Sequence, residues 1–187
     1  MAKNVQIVGL KACRAGAPLA KGVADTGSPD LIKAFTQITQ PYDGGITANW
    51  SVPSNTEFRR EGEVDPFFSM RDPSTGSKEL TWTVADFDDE TKEFYFGGEN
   101  AIEGEVYEGE KAFAFDAKTG KTIVFARLKY VATLTGNINK GTPLQISVSA
   151  TVLAPSEGGK SWDVIDTPAY TAAAIQSASL RSSKATI

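Results

Sequence analysis

Residues 120–155, GKTIVFARLKYVATLTGNINKGTPLQISVSATVLAP, decide the fold of this chain. They predict two long strands joined by a turn rich in Gly and Asn. The second strand alternates strictly, with Leu144, Ile146, Val148, Ala150 and Val152 on one face and Gln145, Ser147, Ser149 and Thr151 on the other. Such alternation is typical of a half-buried strand. Because the polar face carries small uncharged side chains instead of Lys and Glu, we expect it to meet a closely packed neighbour or to form a smooth inner wall.

Three further segments predict strands. ITANWSVP at 46–53 and KELTWTVAD at 78–86 both alternate, and EKAFAFDAKTGKTIVFARL at 110–128 indicates a hairpin that turns at Thr119 and Gly120. Trp50 and Trp82 fall on apolar faces, which favours core packing over a sugar-binding platform. The chain is therefore predicted to be mainly β, an antiparallel β-sandwich or partial barrel.

One α-helix is predicted to flank the sheet, at about 87–96 within DFDDETKEFYFGG. Asp86 is the expected N-terminal cap, and Gly97 or Gly98 the expected end. The acidic cluster Asp86, Asp88, Asp89 and Glu90 lacks the glycine and the distal glutamate of a calcium loop. It is therefore interpreted as complementing the helix dipole and not as a metal site.

Both ends of the chain are predicted to be arms. Residues 1–45 are dense in Gly and Pro, so we expect an irregular N-terminal arm with a short helix at 29–37 that Ser28 would cap. Residues 156–187 are expected to form a C-terminal arm that Trp162 anchors. The sandwich core is assigned to residues 46–155.

Residues 53–77 form a long loop with no clear period, in which charged residues alternate irregularly with large apolar ones. Exposed phenylalanines are costly, which favours contacts with another subunit, although a solvated loop face remains the alternative. The candidate inter-subunit residues are Phe58, Arg59, Arg60, Phe67, Phe68 and Arg71.

Composition argues against an enzyme. The 187 residues include no His, which removes the commonest general base and metal ligand. Glu103 and Glu110 have no evident nucleophile, so an acidic solvated loop at 99–110 is favoured over paired catalytic carboxylates. A single Cys13 permits no internal disulfide and fits folding in a reducing cytosol. With a net charge of −4, tight phosphate binding is not expected. We expect no cofactor, no metal and no membrane span.

The order of elements over residues 46–155 resembles that of the major tail tube proteins of tailed bacteriophages. The segments that carry the resemblance are the charged loop FRREGEVDPFFSMRDP, the strand KELTWTVADFD with a helix ending EFYFGG, the hairpin strand GKTIVFARLKYVATL and the strand PLQISVSATVLAP. Related tubes occur in contractile phages and in phage-derived injection machines, and the sequence does not separate these.

The resemblance implies a structural subunit without enzymatic activity. Six copies would close into a ring, and rings would stack into a tube whose lumen passes double-stranded DNA without specific binding. Gln145, Ser147, Ser149 and Thr151 would face that lumen. The implied partners are other copies of the chain, the tail terminator, the tape measure and the baseplate or tip proteins. The implied location is the virion tail, after synthesis and assembly in the host cytoplasm.

Two other functions stay open. A carbohydrate- or receptor-binding β-sandwich of a virion surface or decoration protein would use an accessible aromatic platform. A β-rich hydrolase would use paired carboxylates, for which no motif is present.

Overall fold

The computed structural model describes residues 9–23, 28–42, 45–51, 55–58, 68–71, 77–97, 106–135 and 144–171. The strands in these ranges are β1 Leu10–Gly16, β2 Thr36–Ile38, β3 Thr47–Trp50, β4 Asn55–Phe58, β5 Phe68–Arg71, β6 Lys78–Val84, β7 Val106–Ala117, β8 Lys121–Thr135, β9 Gln145–Val152 and β10 Trp162–Asp166. The helices are α1 Ser28–Lys33 and α2 Asp89–Phe96.

Eight of these strands form one antiparallel sheet in the order β2-β1-β7-β8-β9-β6-β3, with β10 also paired to β8. The remaining two, β4 and β5, pair only with each other. The large sheet is not closed. This confirms the predicted fold class, a mainly β antiparallel sandwich or partial barrel.

The sheet bends across its two longest strands. The pairing of β7 with β8 shifts register between Lys111 and Phe113, which marks a bulge. On its other edge, β8 pairs with β10 over residues 121–125 and with β9 over residues 128–135. We call the two parts half-sheet A (β2, β1, β7 from 112, β8 to 126, β10) and half-sheet B (β7 to 111, β8 from 128, β9, β6, β3).

The main core lies between the two half-sheets and under α2. Phe113 is fully buried at its centre and meets Trp82 edge to face, with ring centroids 5.6 Å apart. The Trp82 indole nitrogen donates to the Tyr95 hydroxyl of α2 at 3.1 Å. This bond satisfies a buried polar atom of each residue and fixes the helix on the sheet.

A second apolar cluster covers the opposite face of half-sheet A. Leu19, Val23, Ile32 and Phe35 pack there against small residues of β7 and β8 such as Ala114. Gly16 permits this approach, because a Cβ atom at that position would overlap the Phe35 ring.

The predicted terminal arms are corrected by this topology. The expectation of irregular structure over residues 1–45 is wrong for β1 and β2, which are strands of the main sheet. Likewise β10 belongs to that sheet, and its first residue Trp162 packs on Phe125, which confirms the predicted anchor. The glycine-rich sequence around β1 gave no strand pattern. The strand forms through pairing with β7, as of Cys13 with Phe115, which is far away along the chain.

Both predicted helices exist with altered ends. α1 ends at Lys33, and Ser28 begins it without capping it, since its hydroxyl donates to the Gly22 carbonyl at 2.6 Å. In α2 the cap is Asp88 instead of Asp86, with its carboxylate accepting from the Thr91 amide. The left-handed Gly97 ends α2 as predicted.

One tryptophan prediction is wrong. Trp82 is buried, but Trp50 is 44% exposed, because β3 is an edge strand of half-sheet B. The Trp50 and Trp162 rings lie 4.8 Å apart, joining the two half-sheets at their open end.

Candidate assembly surfaces

The polar side chains of β9 lie on the outer face of half-sheet B. Ser149 is directly opposite Thr81 of β6 and Val131 of β8, and Ser147 is opposite Thr83 and Thr133. Opposite residues of antiparallel strands point to the same side. We call this surface the hydroxyl face, and its members are Thr81, Thr83, Thr133, Thr135, Gln145, Ser147, Ser149 and Thr151.

The exposure of this face agrees with the predicted alternation. Ser149 and Thr151 are exposed, and Gln145 and Ser147 are half-buried, whereas Val148 between them is buried. The four residues first singled out on β9 thus belong to a wider array of short side chains. The strand sequences KELTWTVAD and YVATLT contain the additional threonines, but only the register shows that they share one face with β9.

Charged side chains border the hydroxyl face at Glu79 of β6, opposite Thr151, and at the β7–β8 side, where two ion pairs form. The Glu108 carboxylate lies 2.8 Å from the Lys129 ammonium, and that of Glu110 lies 2.7 Å from the Arg127 guanidinium. The predicted acidic loop at 99–110 is therefore wrong for residues 106–110, which continue β7 beside the basic residues of β8. The members of both pairs are partly exposed, so water screens the attraction within each pair.

Half-sheet B has two strand edges that no described residue pairs with. One is the outer edge of β3, and the other is β7 from 108 to 111, because β1 pairs with β7 only from Ala112 onward. Four successive antiparallel pairings separate these edges, so β3 and β7 run in the same direction. Unpaired edges are templates for pairing with another chain.

The predicted inter-subunit residues fall partly within the described ranges. The backbones of Phe58 and Phe68 are paired in the β4–β5 hairpin, where Arg71 is opposite Asn55. The expectation of an irregular loop throughout 53–77 is wrong for these eight residues, which form a two-stranded sheet. Arg59, Arg60 and Phe67 lie outside the described residues, so their role stays a prediction.

A buried polar cluster lies on the outer face of half-sheet A. Asp116 accepts from the Arg14 guanidinium at 3.2 Å, the Thr122 hydroxyl at 2.6 Å and the Tyr170 hydroxyl at 2.5 Å. The Arg14 guanidinium also lies 3.7 Å from the centroid of the Tyr170 ring. No sequence signal identified this cluster, because its members come from β1, β7, β8 and the segment after β10.

The cluster fastens the segment 167–171 to the body. The Thr167 amide donates to the Gly120 carbonyl, and the Thr171 amide donates to the Lys33 carbonyl, both at 3.1 Å. Burial and the hydrogen bond to Asp116 raise the pKa of the Tyr170 hydroxyl. The hydroxyl therefore stays protonated at neutral pH and remains a donor to the carboxylate.

We expect Cys13 to resist thiol reagents in the folded protein. Its side chain is 1% exposed, and burial, with the nearby charge of Asp116, raises the pKa of the thiol. Both effects suppress the reactive thiolate. Maleimide addition, followed by mass spectrometry, should be at least about 100-fold slower in buffer than in denaturant. Labelling at equal rates in the two conditions would contradict the burial.

Within the described ranges, no group of three or more Cys, Asp or Glu residues is placed to hold a metal ion. Neither of the two helices there is long and apolar enough to cross a membrane. No protein-family model matches this chain, and no curated protein matches it.

Proposed function

We propose that this protein is a non-enzymatic structural subunit of a phage tail tube or a related injection tube. The observation that carries the proposal is the hydroxyl face, on which short, uncharged side chains of β6, β8 and β9 surround Val131 at the centre of a five-strand half-sheet. A conduit needs a wall to which the passing molecule does not bind. Short hydroxyl side chains offer neither the cations that hold phosphates nor large apolar groups.

The two edges of half-sheet B that pair with no strand in the described ranges support ring closure. Because β3 and β7 run in the same direction, a head-to-tail ring would join β3 of one subunit to residues 108–111 of β7 in the next as a parallel pair. Repetition around the ring would satisfy both edges and place every hydroxyl face on the same side. Closing the sheet in this way removes the exposed edges that otherwise cause uncontrolled aggregation.

The charges beside the hydroxyl face support passage of DNA without retention. Lys129 and Arg127 are neutralised by Glu108 and Glu110, so the cations nearest the face are already paired. The chain as a whole carries a net charge of −4. Repulsion of phosphates, with the cations beside the face already paired, favours sliding over binding.

Electron microscopy of the concentrated protein tests the proposal. Negative staining is expected to show rings or hollow tubes of uniform width, with a matching rise in scattered light. If only monomers form at high concentration and also in the presence of a tail-tip or baseplate initiator complex, the tube proposal fails.

We predict that Ser149→Cys marks the lumen. In the monomer the new thiol should react with a small maleimide and with a maleimide coupled to a large dextran. In assembled tubes the small reagent should still react, whereas the bulky reagent should label at least about 10-fold more slowly, because it cannot enter the lumen. Buried Cys13 does not compete for either reagent. Mass spectrometry measures the small adduct, and gel shifts measure the dextran adduct, before and after assembly.

The matched control is Lys92→Cys on α2, on the side of half-sheet B opposite the hydroxyl face. This site should accept the bulky reagent in monomers and in tubes. Protection of the thiol at position 92, together with free labelling of the thiol at position 149, would mean that the hydroxyl face points outward. That outcome would contradict the proposed lumen.

The exposed Trp50, paired with Trp162, is the observation that favours the second candidate, a glycan-binding module. Sugars need polar groups around the aromatic face that stacks on them. The described side chains that line the cavity beneath this pair are apolar, so the pair gives a glycan site less support than the hydroxyl face gives the tube. Retention of the monomer on a glycan array would favour this second function.

A further inference from the structure

An apolar cavity opens between the two half-sheets at the end marked by Trp50 and Trp162. Its volume is about 350 Å³. The described residues that line it are all apolar, with Leu10, Ile46, Phe115 and Phe125 among them. This volume falls within the range of about 300–1,000 Å³ that is usual for small-molecule sites.

The entrance is aromatic and incompletely covered by the described residues. Trp50 leaves 44% of its surface exposed while its ring contacts Trp162. Phe125 stacks beneath Trp162, with ring centroids 6.3 Å apart. A ligand that enters here would remove a large aromatic surface from water, which favours binding.

One cation, the Lys78 ammonium, lies at this entrance. The Lys78 ammonium lies 5.7 Å from the centroid of the Trp50 ring, on the strand opposite. The Cδ atom of Lys118 lies 3.1 Å from the place that a Cβ of Gly9 would take, so the apolar stem of this side chain lies against the cavity wall. Neither lysine forms an ion pair with a residue in the described ranges.

No carboxylate in the described ranges pairs with the Lys78 ammonium. Asp163 and Asp166 of β10 are paired with Lys160 and Lys121. Glu79 follows Lys78 on β6 and therefore points to the other face of the sheet. Among the described residues, the entrance thus carries the charge of Lys78, and the interior behind it is apolar.

We propose that this cavity binds a small amphipathic anion, with the apolar body between the half-sheets and the acid group beside Lys78. The chemical class is a medium-chain carboxylate. The absence of polar side chains among the described lining residues favours such a ligand over a sugar. This site is separate from the hydroxyl face, so its existence does not depend on the tube proposal.

Titration with decanoate, below its micelle concentration, tests the site through the fluorescence of Trp50 and Trp162. Saturable change in emission is expected for the monomer, with light scattering recorded on the same sample. Decanol is the neutral probe of equal chain length. Lack of a saturable change with decanoate would overturn the proposal.

Three variants separate the contributions of the Lys78 charge, of net charge and of cavity volume to binding. Lys78→Met should weaken decanoate binding about 2- to 5-fold, as expected for loss of a partly exposed ion pair, and leave decanol binding unchanged. Lys92→Met removes the same charge from α2, outside the cavity, and should change neither. Ala48→Phe adds bulk to the lining and should weaken both probes about 10-fold or more.

Two outcomes would overturn the assignment. Equal weakening by Lys78→Met and Lys92→Met would mean that only net charge matters. Release of bound probe as the protein self-associates would mean that a second copy of the chain occupies the cavity. Circular dichroism of each variant checks its fold, and the wild-type titration tests the site even if Ala48→Phe does not fold.

Discussion

Replacement of Asp116 by Ala is expected to lower the free energy of unfolding by about 3–5 kcal/mol. The side chain is 2% exposed and accepts three hydrogen bonds, from Arg14, Thr122 and Tyr170. Without it, the Arg14 guanidinium stays buried without a counter-charge, and two hydroxyl donors lose their acceptor. Arg14 is already short of partners, because its Nη1 atom has none among the described residues. Urea unfolding followed by fluorescence, at constant slope, measures the loss.

Two companion variants identify which interaction of Asp116 accounts for the lost stability. Tyr170→Phe removes one hydrogen bond but keeps the ring over Arg14, so its cost should be about 1–2 kcal/mol. Adding Arg14→Met to the Asp116→Ala protein should recover part of the lost stability, since the uncompensated charge is then absent. No recovery in the double variant would contradict a buried ion pair as the source. Amide exchange at residues 167–171 should rise in Tyr170→Phe, because this tyrosine fastens that segment.

Replacement of Phe113 by Ala is the second large effect, about 3–5 kcal/mol. Phe113 is fully buried where the half-sheets meet, and its ring contacts Trp82, Phe94 and Tyr130. Truncation removes these contacts and leaves a cavity whose rigid β-sheet walls collapse only partly. Urea unfolding measures the loss of stability. A weaker near-ultraviolet circular dichroism signal would report that the packing around Trp82 is disturbed.

The matched control is Phe113→Leu, which retains most of the volume and should cost less than about 2 kcal/mol. A similar loss in Leu and Ala variants would mean that the edge-to-face geometry, and not the filled volume, stabilises the core. A small loss in both would mean that Phe113 is not central to the packing.

Local patterns in the sequence were sufficient to predict the strands and the helix whose two faces differ strongly in polarity. β9 alternates between polar and apolar side chains, and β6 carries Leu80, Trp82 and Val84 inward as predicted. The acidic start and glycine end located α2 within about two residues. Such a pattern can be read from neighbouring residues, because a strand that buries one face needs an apolar side chain at every second residue.

The errors occurred where a partner far along the chain decides the outcome. β1 pairs Cys13 with Phe115, and β10 pairs Trp162 with Phe125, so neither strand is evident from its own neighbourhood. Trp50 has the same alternation as Trp82 but is exposed, because β3 is at the edge of its half-sheet and β6 is inside it. Edge position is a property of the assembled sheet and not of a strand.

The sequence by itself determined a mainly β antiparallel fold, one flanking helix and a strand with a small-hydroxyl side, since alternation and capping depend on residues close in the chain. Only the tertiary structure decided that this side joins the threonines of β6 and β8 in one face, because strand register sets which side chains are adjacent. It also decided the Asp116 cluster, whose members come from paired strands of half-sheet A and the segment after β10. The apolar cavity was decided there too, because its lining residues meet only after the sheet bends at the β7–β8 bulge and brings its two halves together.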